Sequence, residues 1–149
     1  MPDKIDVAYV QRVVDEFSRI LTQAWVRARQ KGTVDAEVER LIRSVESAER
    51  AAIDISEMRG LARAGFRRLV ERMQAESATV RRLTLTSPDC VQAAGTVDYS
   101  RSLVDGQVQE VVIELERTGR RTGSNRTGWR QYGVYASRAP EGGAPCARP

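Results

Sequence analysis

The chain has 149 residues and a mass of 16.6 kDa, with 41% hydrophobic and 30% charged residues and a mean hydropathy of −0.44. That is the size of one soluble domain, with or without a tail; it excludes a multi-domain enzyme yet suffices to bury a core. There is no histidine, which removes the usual general base, the imidazole of Ser-His and Cys-His pairs, and the commonest zinc ligand. No apolar run approaches the roughly 20 residues of a membrane-crossing helix. The start Met1-Pro2-Asp3-Lys4-Ile5 lacks the basic and apolar stretches of a secretion signal, so a cytoplasmic protein is expected.

The net charge of +4 conceals segregation: residues 1–82 carry 16 basic and 13 acidic groups, residues 83–116 carry 1 and 6, and residues 117–149 carry 7 and 1. An acidic segment followed by a basic one says more about partners than the overall balance does. Only Lys4 and Lys31 are lysines, and arginine offers a planar fork suited to phosphate or carboxylate. Cys90 and Cys146 have no metal-ligand spacing, so two free thiols, no metal and no cofactor are expected.

From Asp3 to Lys31, Ile5, Tyr9, Val13, Phe17, Ile20, Ala24 and Trp25 recur at helical steps, which predicts an amphipathic helix. Gly32 is its expected stop and Thr33 a cap for the next helix. Residues 34–82 form a heptad: Val38, Val45, Ala52, Arg59, Phe66, Met73 and Val80 in one column, Leu41, Ala48, Ile55, Ala62, Leu69 and Glu76 in the other. So long a repeat needs a partner surface, either a second copy or other helices. The weak helix formers of Ile53-Asp54-Ile55-Ser56 and Gly60 favour a break near 54–60. Arg59 and Glu76, which interrupt the columns, either fix register against a partner or mark where the helix leaves the core. Trp25 and Phe66 are read as core residues.

After Leu83 the period changes to two. Leu83–Thr86, Thr96–Val104 and Gln107–Arg117 read as strands, with a further one at about Gly128–Ser137. Asp105-Gly106 is a two-residue hairpin signal that would pair Leu103 with Val108, Arg101 with Glu110, Tyr99 with Val112 and Val97 with Glu114. Val111, Ile113 and Leu115 would then face the helices. The expected fold is α+β: a helical hairpin or three-helix bundle followed by an antiparallel meander of three to four strands. The expected regions are a helical oligomerisation region (1–82), a β region with a basic loop (83–138) and an extended or disordered tail (139–149).

The segment 117–135 gathers Arg117, Arg120, Arg121, Arg126 and Arg130 without an acid, and Trp129, Tyr132 and Tyr135 are interleaved with them. Arginines neutralise phosphate and aromatic faces stack on bases; Arg117, Arg120, Arg121, Arg126, Arg130, Trp129 and Tyr132 are therefore the candidate nucleic-acid contacts. The same composition also suits a solvated hairpin tip. Asp98, Glu110, Glu114 and Glu116 read as a solvated strand face rather than a metal site, and Gly119, Gly123 and Gly128 do not make a phosphate loop. Asn125-Arg126-Thr127 matches a glycosylation triplet, which carries little in a chain expected to stay inside the cell.

The function expected is that of a non-enzymatic homo-oligomer, joined through Val38, Leu41, Val45, Ile55, Phe66, Leu69 and Met73, whose basic loop contacts nucleic acid or an acidic protein surface. Three alternatives stand beside it: a structural subunit of a phage or secretion particle, a small histidine-free ribonuclease-type toxin, and a regulatory inhibitor that covers a protein partner. No catalytic residue is assigned.

Overall fold

The computed structural model describes residues 4–74, 76–136 and 146. Three helices precede a four-stranded antiparallel sheet, an α+β fold: α1 (Val7–Lys31), α2 (Ala36–Val45), α3 (Ala48–Arg63), β1 (Ser77–Thr86), β2 (Cys90–Asp98), a 3-10 turn (Tyr99–Arg101), β3 (Val108–Arg117) and β4 (Trp129–Tyr135). The strands lie in the order β1-β2-β3-β4, a simple meander. No described helix is long and apolar enough to cross a membrane.

Helix α1 begins where the Asp6 carboxylate accepts the Tyr9 N–H at 2.8 Å. It ends at Gly32, whose φ of 70° is the left-handed conformation that glycine adopts without steric cost. Its apolar stripe, from Val10 through Phe17 and Ile20 to Ala28, is buried. Asp35, not Thr33, caps α2: it accepts the Val38 N–H at 2.9 Å and pairs with Arg27 at 2.8 Å. Gln11 docks α1 onto β1, donating to the Ala78 carbonyl and accepting the Val80 N–H, each at 2.7 Å.

The expected long second helix breaks earlier than its composition suggests. Glu46 leaves the helical conformation (φ −117°, ψ 154°) and bridges Gln131 of β4. Ser47 then restarts α3 by accepting the Arg50 N–H at 3.2 Å. Helix α3 passes through Ile53–Ser56 and Gly60 unbroken, because its buried Ala51, Ile55 and Met58 outweigh weak propensity. It stops at Gly65 (φ 68°), where the Phe66 N–H returns to the Leu61 carbonyl at 2.8 Å. The heptad columns continue past this point only as spacing: Phe66 and Leu69 lie in irregular chain, and β1 begins at Ser77 inside the region expected to be helical.

Val38, Leu41, Val45, Ile55, Phe66 and Leu69 are only 0–8% exposed, and Met73 packs on the same core. The residues expected to join two copies are thus spent on the chain's own interior, against α1 and the sheet.

Val91, Ala93 and Gly95 of β2 pair with Leu115, Ile113 and Val111 of β3, and these side chains face the helices as expected. Gly95 is required, since a Cβ there would lie 2.0 Å from the Thr79 carbonyl oxygen. The Asp105-Gly106 turn is not a two-residue hairpin: β2 ends with Asp98 opposite Val108. The segment between them is drawn toward the chain leaving α3, where Leu69 bridges Leu103 and the Val70 N–H reaches the Ser102 carbonyl at 2.9 Å. Arg101 accordingly bonds Gln74 at 2.8 Å, and Glu110 lies 3.6 Å from Arg81 instead. Register shifts in β1 at Val80/Arg82 and Leu83/Leu85 mark bulges, which bend the strand and deepen the concave face.

The two cysteines are not free thiols. Cys90, at the start of β2, is joined to Cys146 by a disulfide spanning 56 residues of sequence; spacing alone carried no sign of this pairing. The rest of the expected tail, residues 139–145 and 147–149, lies outside the described residues. Alkylation of the unreduced, denatured protein should label no cysteine, and prior reduction should expose two, as intact mass would register. Closing a loop of this length removes unfolded-state entropy worth up to about 4 kcal/mol, so Cys146→Ser should lower the denaturation midpoint.

Candidate functional site

Between the concave face of the sheet and helices α1 and α3 lies a cavity of about 540 Å³, within the range of small-molecule sites. Its wall is mixed, and the apolar part is made by Val14, Leu21 and Trp25 from α1, Val97, Ile113 and Val134 from the sheet, and Leu69 and Met73 from the chain that links α3 to β1. The polar part is made by Arg50, Asp54 and Glu57 of α3, Glu76, Tyr99, Ser102 and Gln131, with Ser18 and Thr22 of α1 and Arg68 and Gln74 of the linker also in the lining. Arg50 and Asp54, one helical turn apart, form an ion pair at 3.0 Å. The Ser102 hydroxyl donates to the Glu76 carboxyl at 2.7 Å.

Glu46 stands behind this wall and is 1% exposed. Burial pushes its carboxyl up to about 10; the nearby negative charge of Asp54 and a hydrogen bond with it add to the shift, and Arg50 opposes it. As a carboxylate, Glu46 would have no donor on either oxygen. Protonated, the carboxyl loses the charge that burial penalises. Burial also raises Glu76, against the hydrogen bond from Ser102. Tyr99 is raised first by burial and then by the field of Glu76. The result is a chamber of mixed lining, with the buried carboxyl of Glu46 behind its hydrogen-bonding groups. Such a wall can orient a ligand hydroxyl or carbonyl and exchange one proton with it. Among the described residues no cluster of three or more potential ligands could hold a metal.

The basic segment is folded differently from a solvated tip. Asn125 is 2% exposed and donates to the carbonyls of Ser44 at 2.6 Å and Trp129 at 2.8 Å, while accepting the Thr127 N–H at 3.0 Å. The asparagine of the glycosylation triplet is therefore built into the interior, while Arg126 is exposed. Arg40 of α2 holds Ser124 at 2.6 Å. Trp129 is not an open stacking face: it is 3% exposed and donates its indole N–H to the Tyr9 hydroxyl at 2.8 Å. Tyr132 is half-buried farther along β4. Arg130 sits opposite Glu116 in the sheet, and Arg120 is exposed. Arg117, Arg121, Arg126 and Trp129 share one cleft with residues of α1.

Of the two heptad interruptions, Arg59 pairs with Glu39 on the surface, and Glu76 enters the cavity wall. Trp25 lines that cavity as well, while Phe66 is core. No protein-family model matches the chain, and comparison with curated proteins and with solved structures returns no match either. The cavity wall was missed because its polar members lie far apart in sequence. One local signal existed: Glu46, Arg50 and Asp54 follow at steps of four, a polar row beside the apolar columns.

A carboxyl raised in the folded state contributes stability fully below its unfolded value near ~4.3 and loses it as pH rises toward the folded value. For Glu46 that window runs up to about 10, and Glu76 and Glu114 add in the same direction. Stability should therefore fall from pH 5 to pH 9, with a slope of up to about 1.4 kcal/mol per pH unit for each proton released. Glu46→Gln, neutral at every pH, should flatten this slope and be the more stable protein at pH 8. Urea melts across pH, with both proteins in parallel, measure it.

Proposed function

We propose that this protein binds a neutral, largely apolar small molecule in the cavity between α1, α3 and the sheet, with a hydroxyl or carbonyl group of the ligand directed at Arg50, Tyr99 and Gln131. The observation that carries this reading is a chamber of about 540 Å³ in which apolar side chains stand beside a polar wall. Burying Glu46, and partly burying Arg50, Asp54 and Glu76, costs stability that an apolar core of the same shape would not lose. Groups retained at such a cost, with shifted titration and in a cavity, are the usual mark of a binding or reacting site. The opposed charges of Arg50 and Asp54 offset each other across 3.0 Å, which favours a ligand without net charge, while Arg50 Nε and Asp54 Oδ1 make no hydrogen bond among the described residues. The internal burial of Val38, Leu41, Val45, Ile55, Phe66 and Leu69 also supports a ligand-holding domain over an assembly subunit.

Binding of Nile red, a neutral apolar dye, tests this. Trp25 lines the cavity and is one of two tryptophans, so saturable dye emission should be accompanied by quenching of tryptophan fluorescence. Thr22 of α1 also lines the cavity, so Thr22→Phe, which places a ring into the same space, should weaken the dye by about tenfold or more while leaving the urea midpoint near that of the parent. An absence of saturable binding across a panel of neutral apolar probes would sink the reading, as would unchanged affinity in the folded Thr22→Phe protein.

A further inference from the structure

On the other side of α1, at the end of the sheet where β3 and β4 meet the basic loop, lies a second cleft of about 370 Å³. Four arginines line it: Arg12 from α1, Arg117 from β3, and Arg121 and Arg126 from the loop. No acidic residue lines it among those described. The floor is aromatic and rigid. The Arg12 guanidinium lies over the Tyr9 ring and that of Arg117 over the Trp129 ring, each 5.9 Å from the centroid. The two rings are joined by the bond from the Trp129 indole N–H to the Tyr9 hydroxyl at 2.8 Å. Arg117 also donates to the Pro88 carbonyl at 3.1 Å. Because that hydroxyl accepts from the indole, its own proton remains available to donate toward the cleft.

The loop is held in place, so its arginines are presented rather than left to wander. Asn125 ties its backbone to Ser44 and Trp129, and the Thr118 N–H closes its base on the Gly128 carbonyl at 2.9 Å. The carboxylate closest in influence to Arg126 is Glu16, which is itself engaged by Arg19. Four like charges around one concavity repel one another, and a bound anion relieves that repulsion while gaining charge-assisted, forked hydrogen bonds. Several forked donors converging on one concavity fit a group bearing several negative oxygens.

We propose that the cleft is a phosphate-binding site, taking a pyrophosphate-sized anion between the ring-stacked pair Arg12 and Arg117 and the rim pair Arg121 and Arg126. The site is distinct from the neutral cavity, and either proposal can fail without the other. The phosphates can come from a small phosphorylated molecule or from a nucleic-acid strand, and the two sources differ in their behaviour with chain length.

Calorimetric titration of the full chain with inorganic pyrophosphate at low salt tests the site, with a 12-nucleotide single-stranded oligonucleotide as the second arm. Saturable pyrophosphate binding is expected, about tenfold or more weaker in Arg12→Gln and in the doubly substituted Arg121→Gln/Arg126→Gln protein. The rim residues are exposed, so the double variant keeps its fold, and a urea melt verifies this. Arg63→Gln, an exposed arginine at the far end of α3, should bind as the parent does. If the oligonucleotide binds more tightly, competes with pyrophosphate and is weakened by the same substitutions, the site stands and its phosphates come from a strand. The proposal is overturned if neither anion binds saturably, or if Arg63→Gln weakens binding as much as the cleft variants do, since the attraction would then be diffuse charge.

Discussion

The architecture depends on the elbow at residues 44–47. A helix end leaves backbone groups without partners, and these must be satisfied somewhere. Here the Ser44 carbonyl takes the Asn125 side chain at 2.6 Å, the Ser47 N–H reaches the Gln131 carbonyl at 2.9 Å, and the Glu46 backbone bridges the same Gln131. One short turn thereby ties α2 and α3 to β4 and to the basic loop. It also carries the Glu46 side chain into the interior, where only its neutral form is tolerated without a partner cation of its own. The polar row that continues through Arg50 and Asp54 faces the sheet for the same reason: α3 restarts at Ser47 in the orientation the elbow imposes.

The energetic weight of the interior polar groups differs from that of the surface ones. The pairs Arg19 with Glu16 and Arg40 with Glu37 are exposed neighbours on single helices and contribute little to stability. Glu46, by contrast, is 1% exposed, so a charge there would be held where solvent does not screen it. An apolar replacement of similar volume is commonly neutral or stabilising at such a place. Stability alone therefore gives no reason for this wall, and the cavity beside it gives a functional one.

Much of the architecture was legible in the sequence, and the reasons for the misses are specific. The 3.6-residue period of α1, the stop at Gly32 and the inward row Val111, Ile113 and Leu115 are local patterns that burial then satisfied. The break at Glu46–Ser47 was not legible because nothing in the residues there is a poor helix former as strong as Gly60; β4, distant in the chain, decides it. The heptad misled because apolar residues at seven-residue spacing serve a folded-back core as well as a coiled coil, and Phe66 and Leu69 are buried from non-helical chain. Asp105-Gly106 misled because the 99–104 segment gained more from pairing with residues 69–70 than from a tight turn. The candidate cavity was invisible because α1, α3, the linker and all four strands contribute to it. The basic cluster was legible as composition, but its geometry was not: Tyr9 and Arg12 enter from the other end of the chain.

That last arrangement bears on how a domain holds four arginines around one cleft. In most folded proteins an arginine cluster is stabilised by interspersed carboxylates, which also occupy the guanidinium edges. Here two of the four lie over aromatic faces, Arg12 over Tyr9 and Arg117 over Trp129. A ring offsets part of the charge through its quadrupole while engaging the plane of the guanidinium rather than its N–H edge. Lysine, a strongly hydrated point charge, would gain less from the same faces and offer no fork. The hydrogen bond between the two rings fixes their spacing, so the stacked arginines are pre-ordered and less side-chain entropy is lost when an anion arrives.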